Sequence, residues 1–185
     1  MSTHHDVVDL ILQDHREMER LFERLRKEPD SRPTLVPLLT TLLTAHERAE
    51  EAEVYPAARE AGGADDVEHS QQEHLAADEI ARRLQDADPG GEEFDTVLAE
   101  LIDAVQHHLE EEEETVLPGI RERMDADQRV RLGATFLASR AEHLGEQPDD
   151  ITKQQLEQQA ANVDEPVGTR SKEELRQALE RDAEI

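Results

Sequence analysis

Residues 42–56 read L-L-T-A-H-E-R-A-E-E-A-E-V-Y-P, and the spacing inside this stretch fixes the fold class. From His46 the chain places Glu50 at +4, Glu51 at +5, Val54 at +8 and Pro56 at +10; from His108 it repeats the series with Glu112, Glu113, Val116 and Pro118. Residues four apart on an α-helix share one face and stand about 6 Å apart along the axis. His46 with Glu50, and His108 with Glu112, are therefore imidazole and carboxylate pairs aimed the same way. That is a metal-ligand spacing, and it occurs twice.

The flanking sequence supplies four helices to carry these pairs. From about residue 3 to 27, Val8, Ile11, Met18, Phe22 and Leu25 recur at intervals of three and four, with His15 filling the gap in the apolar seam. Pro29, Asp30, Ser31 and Pro33 break the chain, and a second helix spans about 33–61 with the seam Leu35, Leu39, Leu42, His46, Glu50. Pro37 falls in its first turn, and Pro56 is expected to bend it or end its regular part. Gly62 and Gly63 close it. A third helix covers about 64–87, with Val67, His74, Ala77, Ala81 and Leu84 on one side, and D-P-G-G at 88–91 is a turn. The fourth begins near Glu92, with the seam Phe94, Leu98, Leu101, Val105, His108, Glu112, and has Pro118 and Gly119 near its end.

Short connections between four amphipathic helices predict an all-α fold, an antiparallel up-and-down four-helix bundle. His15 to His46 is 31 residues and His74 to His108 is 34, so a two-helix unit is used twice. Asp14 and Glu73 directly precede the first histidine of each half. After Asp125 a shorter fifth helix can pack across the bundle. The expected organisation is a bundle over 1–144 and an acidic linker with a short helical tail over 145–185, helical at about 152–162 and 171–183. Residues 145–185 hold eleven acids against five bases and few large apolar side chains, so the tail is mobile unless it docks.

Composition narrows the function classes. The only aromatic residues are Phe22, Tyr55, Phe94 and Phe136, so the core must be built from aliphatic side chains that favour helices. The absence of cysteine excludes disulfides, thiolate zinc sites and iron-sulfur clusters. A net charge of -26 repels phosphate backbones and anionic membranes, which disfavours nucleic acid as a partner and favours cations. The N-terminus lacks a basic region before its short apolar run, and no stretch reaches the roughly 18 apolar residues of a membrane span. The expected location is cytoplasmic.

Four histidines and two glutamates in the seams would cost several kcal/mol each if buried unpaired. A bound cation supplies the compensation. The competing account is a metal-free network of histidine and glutamate hydrogen bonds, which leaves the repeated run to Pro56 and Pro118 without a reason. His15, His46 and Glu50, then His74, His108 and Glu112, make two sets of two histidines and one carboxylate, the set typical of non-haem iron with open positions. Two such sets meeting in a bundle would hold a metal pair bridged by carboxylates. Iron is favoured over zinc or manganese.

These residues resemble the hemerythrin-like family, in its bacterial branch of HHE cation-binding proteins. The resemblance covers about Val7 to Pro118 and rests on D-H at 14–15, H-E-R-A-E-E-A-E-V-Y-P at 46–56, E-H at 73–74 and H-L-E-E-E-E-E-T-V-L-P at 108–118. It implies two iron ions in an oxo- or hydroxo-bridged centre. The six residues above would be ligands, with Glu50 and Glu112 as bridges and no catalytic residue beyond them. It also implies a small diatomic or peroxide ligand: O2, NO or hydrogen peroxide. A catalase-like stress-response enzyme or a sensor follows; the alternative is an iron-buffering or metal-gated interaction module without turnover.

The chain departs from the oxygen carriers of the family. They have a further histidine where Ser70 stands, whereas His69 is one residue out of phase and is a second-tier candidate facing solvent. Glu112 at +4 replaces an aspartate at +5. Glu47 is the other second-tier candidate, without a counterpart at Leu109. Glu51, Glu53, Glu110, Glu111, Glu113 and Glu114 read as a solvated face, and Tyr55, nine residues from His46 and so about 180° around, as a packing or exposed residue. His4, His5, His107 and His143 read as surface residues. The tail faintly resembles the helix-extended-helix modules of the SAP and Rho N-terminal type, and a partner or self-association through it is expected.

Overall fold

Asp6 starts the first helix: its carboxylate accepts the Val8 backbone N–H at 3.0 Å and satisfies a donor that the helix itself leaves free. The structure is a computed structural model describing residues 5–183, and the expectation for His4 lies outside them. Helix α1 (Val7–Lys27) buries Val7, Ile11, His15, Met18, Phe22 and Leu25 along one stripe.

The second rod is in three pieces: α2 (Arg32–Ala49), a π-helical turn (Glu50–Val54) and α3 (Tyr55–Glu60). Proline 56 explains the change. Its nitrogen has no hydrogen for the Ala52 carbonyl, so a regular helix would leave that acceptor unpaired. The chain widens just upstream instead, and the Tyr55 N–H donates to the Glu50 carbonyl, five residues back. Pro37 lies inside α2 rather than in its first turn, because the helix begins at Arg32.

Gly62, at φ +100°, reverses the chain into α4 (Ala64–Asp86). Helix α5 (Glu92–Glu114) breaks at Thr115, at φ -120° and ψ -67°, three residues before Pro118, and continues as α6 (Val116–Arg123). The two prolines thus interrupt their helices at matching places. These four rods form the antiparallel bundle.

Helix α7 (Ala126–His143) opens on a reciprocal cap between Asp125 and Gln128 and lies across α1 and α2. Gly133 permits that approach, since a Cβ there would stand 2.0 Å from the His5 carbonyl oxygen. Helices α8 (Lys153–Asn162) and α9 (Lys172–Ala183) pack on α4, where Ile151, Leu156, Ala160, Leu175 and Leu179 gather around Leu75. The tail docks.

The bundle has two larger apolar clusters. One is built around Met18, Phe22, Leu39, Leu84, Phe94 and Leu101, the other around Ile11, Val54, Val67, Val116, Ile120 and Phe136. The seam histidines and glutamates lie between them in each helix. Among the described residues, no helix is long and apolar enough to cross a membrane.

Candidate metal centre

His15 is contributed by α1, His46 by α2, Glu50 by the π-helical turn, His74 by α4, and His108 and Glu112 by α5. All six are buried. Two overlapping groups result, each with its donor atoms within 4.8 Å of one another: His15, His46, Glu50 and Glu112, and then Glu50, His74 and His108. The sequence halves do not remain separate, because Glu112 turns to the histidines of the first half and Glu50 serves both groups.

Each imidazole is held from outside by a carboxylate on Nδ1. Glu113 lies 2.9 Å from His15, Asp14 3.2 Å from His46, Glu51 3.3 Å from His74 and Glu73 2.9 Å from His108. An ionised carboxylate only accepts, so Nδ1 carries the hydrogen and Nε2 points into the bundle. His15 Nε2 is 3.2 Å from Glu112 Oε2, and His46 Nε2 is 3.3 Å from Glu50 Oε1; none of these four atoms has a hydrogen-bond partner. On the other side His74 Nε2 stands 3.0 Å from His108 Nε2 and 3.4 Å from Glu50 Oε2. Converging, orphaned nitrogen and oxygen donors suit a cation of the first-row series.

The electrostatics follow from that crowding. Burial alone would lower the His15 pKa, but Glu112 and Glu50 outweigh it and raise it to about 9. Burial would raise Glu112, yet its contact with His15 and the other histidines brings it down to about 2. Without metal, a proton on His15 supplies positive charge beside Glu112 and Glu50.

Three positions differ from the sequence expectation. Tyr55 is fully buried, its hydroxyl 3.0 Å from His74 Nε2 and 3.5 Å from both Glu50 Oε2 and Glu112 Oε1. A regular helix would have turned it away from His46, but the π-helical turn absorbs one residue and sets Tyr55 one turn beyond Glu50 on the same face. Proline at +10 was the available signal. Glu51 is not on a solvated face: it is 2% exposed and its oxygens accept from Arg48, Gln71, His74 and Gln159. Burial would raise its pKa, but Arg48 and His74 hold it at about 2. Glu113, partly buried, holds His15 and pairs with Arg16.

Neither second-tier candidate reaches the centre. Glu47 is buried outside both donor groups, and burial together with Asp78 pushes its carboxyl well above the usual range. His69 is solvent-facing, its Nε2 2.7 Å from Glu111 Oε2. Glu110 and Glu114 are exposed, as are His5 and His107, while His143 is half-buried beside Glu146.

The chain matches the Hemerythrin HHE cation binding domain over residues 6–120, more than half its length. A protein named DNA nickase from Nostoc sp. (strain PCC 7120 / SAG 25.82 / UTEX 2576) is 26% identical over 138 residues, which is 74% of this chain and 39% of that relative. No solved structure matches the chain to significance. With the donor set in place across α1, α2, α4 and α5, the matched domain settles the family: the chain belongs to the hemerythrin HHE cation-binding proteins.

Proposed function

We propose that this chain is a non-haem di-iron protein that reacts with O2, hydrogen peroxide or NO, as a catalase-like stress-response enzyme or a sensor. One observation carries the reading: four imidazoles, each held through Nδ1 by its own carboxylate, turn their Nε2 atoms inward, and those of His15 and His46 face oxygens of Glu112 and Glu50 with no hydrogen-bond partner on either side. His15, His46, Glu50, His74, His108 and Glu112 would hold the metals, with Glu50 common to both donor groups. Iron, when bound, supplies open positions for a small oxidant and a reversible change of charge. The chain's own groups exclude bulk water and confine the ligand to a few atoms, since the donors are enclosed between two apolar clusters. The Tyr55 hydroxyl, kept protonated by burial and the neighbouring glutamates, offers a hydrogen-bond donor toward the same interior.

A second reading, a metal-gated interaction module, is favoured by one contact. Gln159 on the docked tail donates to Glu51, which holds His74, so the tail and the centre share a carboxylate. The nicking activity that names the Nostoc relative is not carried over, because a net charge of -26 opposes a phosphate backbone.

Elemental analysis of the purified protein, with an absorption spectrum before and after peroxide, tests the first reading. Two irons per chain, a near-ultraviolet band and its bleaching with gas evolution are expected. A di-iron holoprotein inert to all three small molecules would leave the second reading.

A further inference from the structure

On the outer face of α4 and α5 lies a second histidine and carboxylate group. His69 and Glu73 are four residues apart on α4, and His107 and Glu111 four apart on α5, so two paired faces meet across neighbouring helices. His69, Glu73 and Glu111 bring one donor atom each within 4.8 Å of the others. His107 Nε2 approaches the same carboxylates, at 3.4 Å from Glu111 Oε1 and 3.7 Å from Glu73 Oε1.

Glu73 supplies the independent observation. Its Oε2 holds His108 Nδ1 at 2.9 Å, but its Oε1 is buried and has no hydrogen-bond partner, although His69 Nε2 and His107 Nε2 each stand 3.7 Å away. That separation is too long for a hydrogen bond. It is close to the roughly 3.4 Å between neighbouring donors around a tetrahedral ion with bonds of about 2.1 Å. Two imidazoles with two carboxylates suit a borderline divalent ion such as Zn(II) or Co(II) better than Ca(II) or Mg(II). The side chains of His69 and His107 are 58% and 63% exposed, so an ion reaches them from solvent without opening the bundle.

We propose that His69, Glu73 and Glu111, completed by His107, form a peripheral site for a divalent transition-metal ion, separate from the buried centre and sharing Glu73 with it. On binding, the 2.7 Å contact between His69 and Glu111 opens to admit the ion between them.

The test adds Co(II) to the purified holoprotein, removes excess by dialysis, and measures iron and cobalt per chain alongside the visible bands of four-coordinate Co(II). The wild type should retain one equivalent of cobalt that the His69→Ala/His107→Ala variant loses, with iron unchanged in both. A His69→Gln/His107→Gln variant repeats the measurement without shortening the side chains. The readout is the difference between wild type and variants, so it remains interpretable if the interior holds no iron. Equal cobalt in all three proteins, or none in the wild type, overturns the proposal; so does a loss of iron in place of cobalt.

Discussion

Glu51 carries more of the site than its place in an acidic run suggests. One oxygen accepts from Gln71, His74 and Gln159, the other from Arg48 and Gln159. Glu51→Gln removes the charge that Arg48 and His74 face in a water-free setting. Metal affinity is expected to fall about 10- to 100-fold, the usual cost of losing a carboxylate behind a ligating histidine, and the metal-free protein to lose about 3 kcal/mol from a broken buried pair. Chelator competition and denaturant unfolding read the two effects, and an unchanged affinity would show that Glu51 does not support His74. His15 gives a pH prediction. Its pKa in the metal-free protein is raised to about 9, so below that pH a metal must displace a proton. Affinity should therefore rise with pH, by up to about tenfold per unit, and level off above about 9. The same shift stabilises the metal-free fold fully below about 6.5, and that contribution disappears as pH rises through about 9. A flat affinity from pH 7 to 9 would contradict the assignment of His15 as a ligand.

The helix breaks are as informative as the helices. Both Pro56 and Pro118 remove a donor, and in each case the backbone departs from regularity just upstream. In the first half the departure is a π-helical turn that carries Glu50 and brings Tyr55 inward; in the second it is a kink beyond Glu112. Helix α7 closes the side of the bundle at His46, whose ring meets Phe136 edge-on at 5.9 Å. Its crossing depends on Gly133. Gly133→Ala should force α7 away from the segment before α1 and cost about 1–3 kcal/mol, the range for overpacking a tight contact. Thermal unfolding measures it, and an unaltered transition would mean that the segment at His5 yields freely.

The tail and the bundle are energetically one structure. Leu156, Leu175 and Leu179 bury themselves with Ile151 against Leu75, while Gln159 and Asn162 reach Glu51 and Gln71 beneath. Truncation after Gly145 removes the tail's side of that cluster, exposes Leu75 and admits water to Glu51. The shortened protein should unfold at lower temperature and hold metal more weakly, and unchanged metal content and stability would show a tail that merely rests on the surface. The sequence alone determined the four helices and their limits to within a few residues, and it marked the six side chains that the bundle buries together, because helical periodicity and the spacing of four are local properties of the chain. It could not show that Glu51 is buried or that the tail docks, since both depend on surfaces far apart in sequence. Nor could it place Tyr55, whose direction depends on how the backbone accommodates Pro56. Which carboxylate faces which histidine was likewise left to the packing of separate helices, where burial between two apolar clusters compels every polar atom to find a partner or a cation.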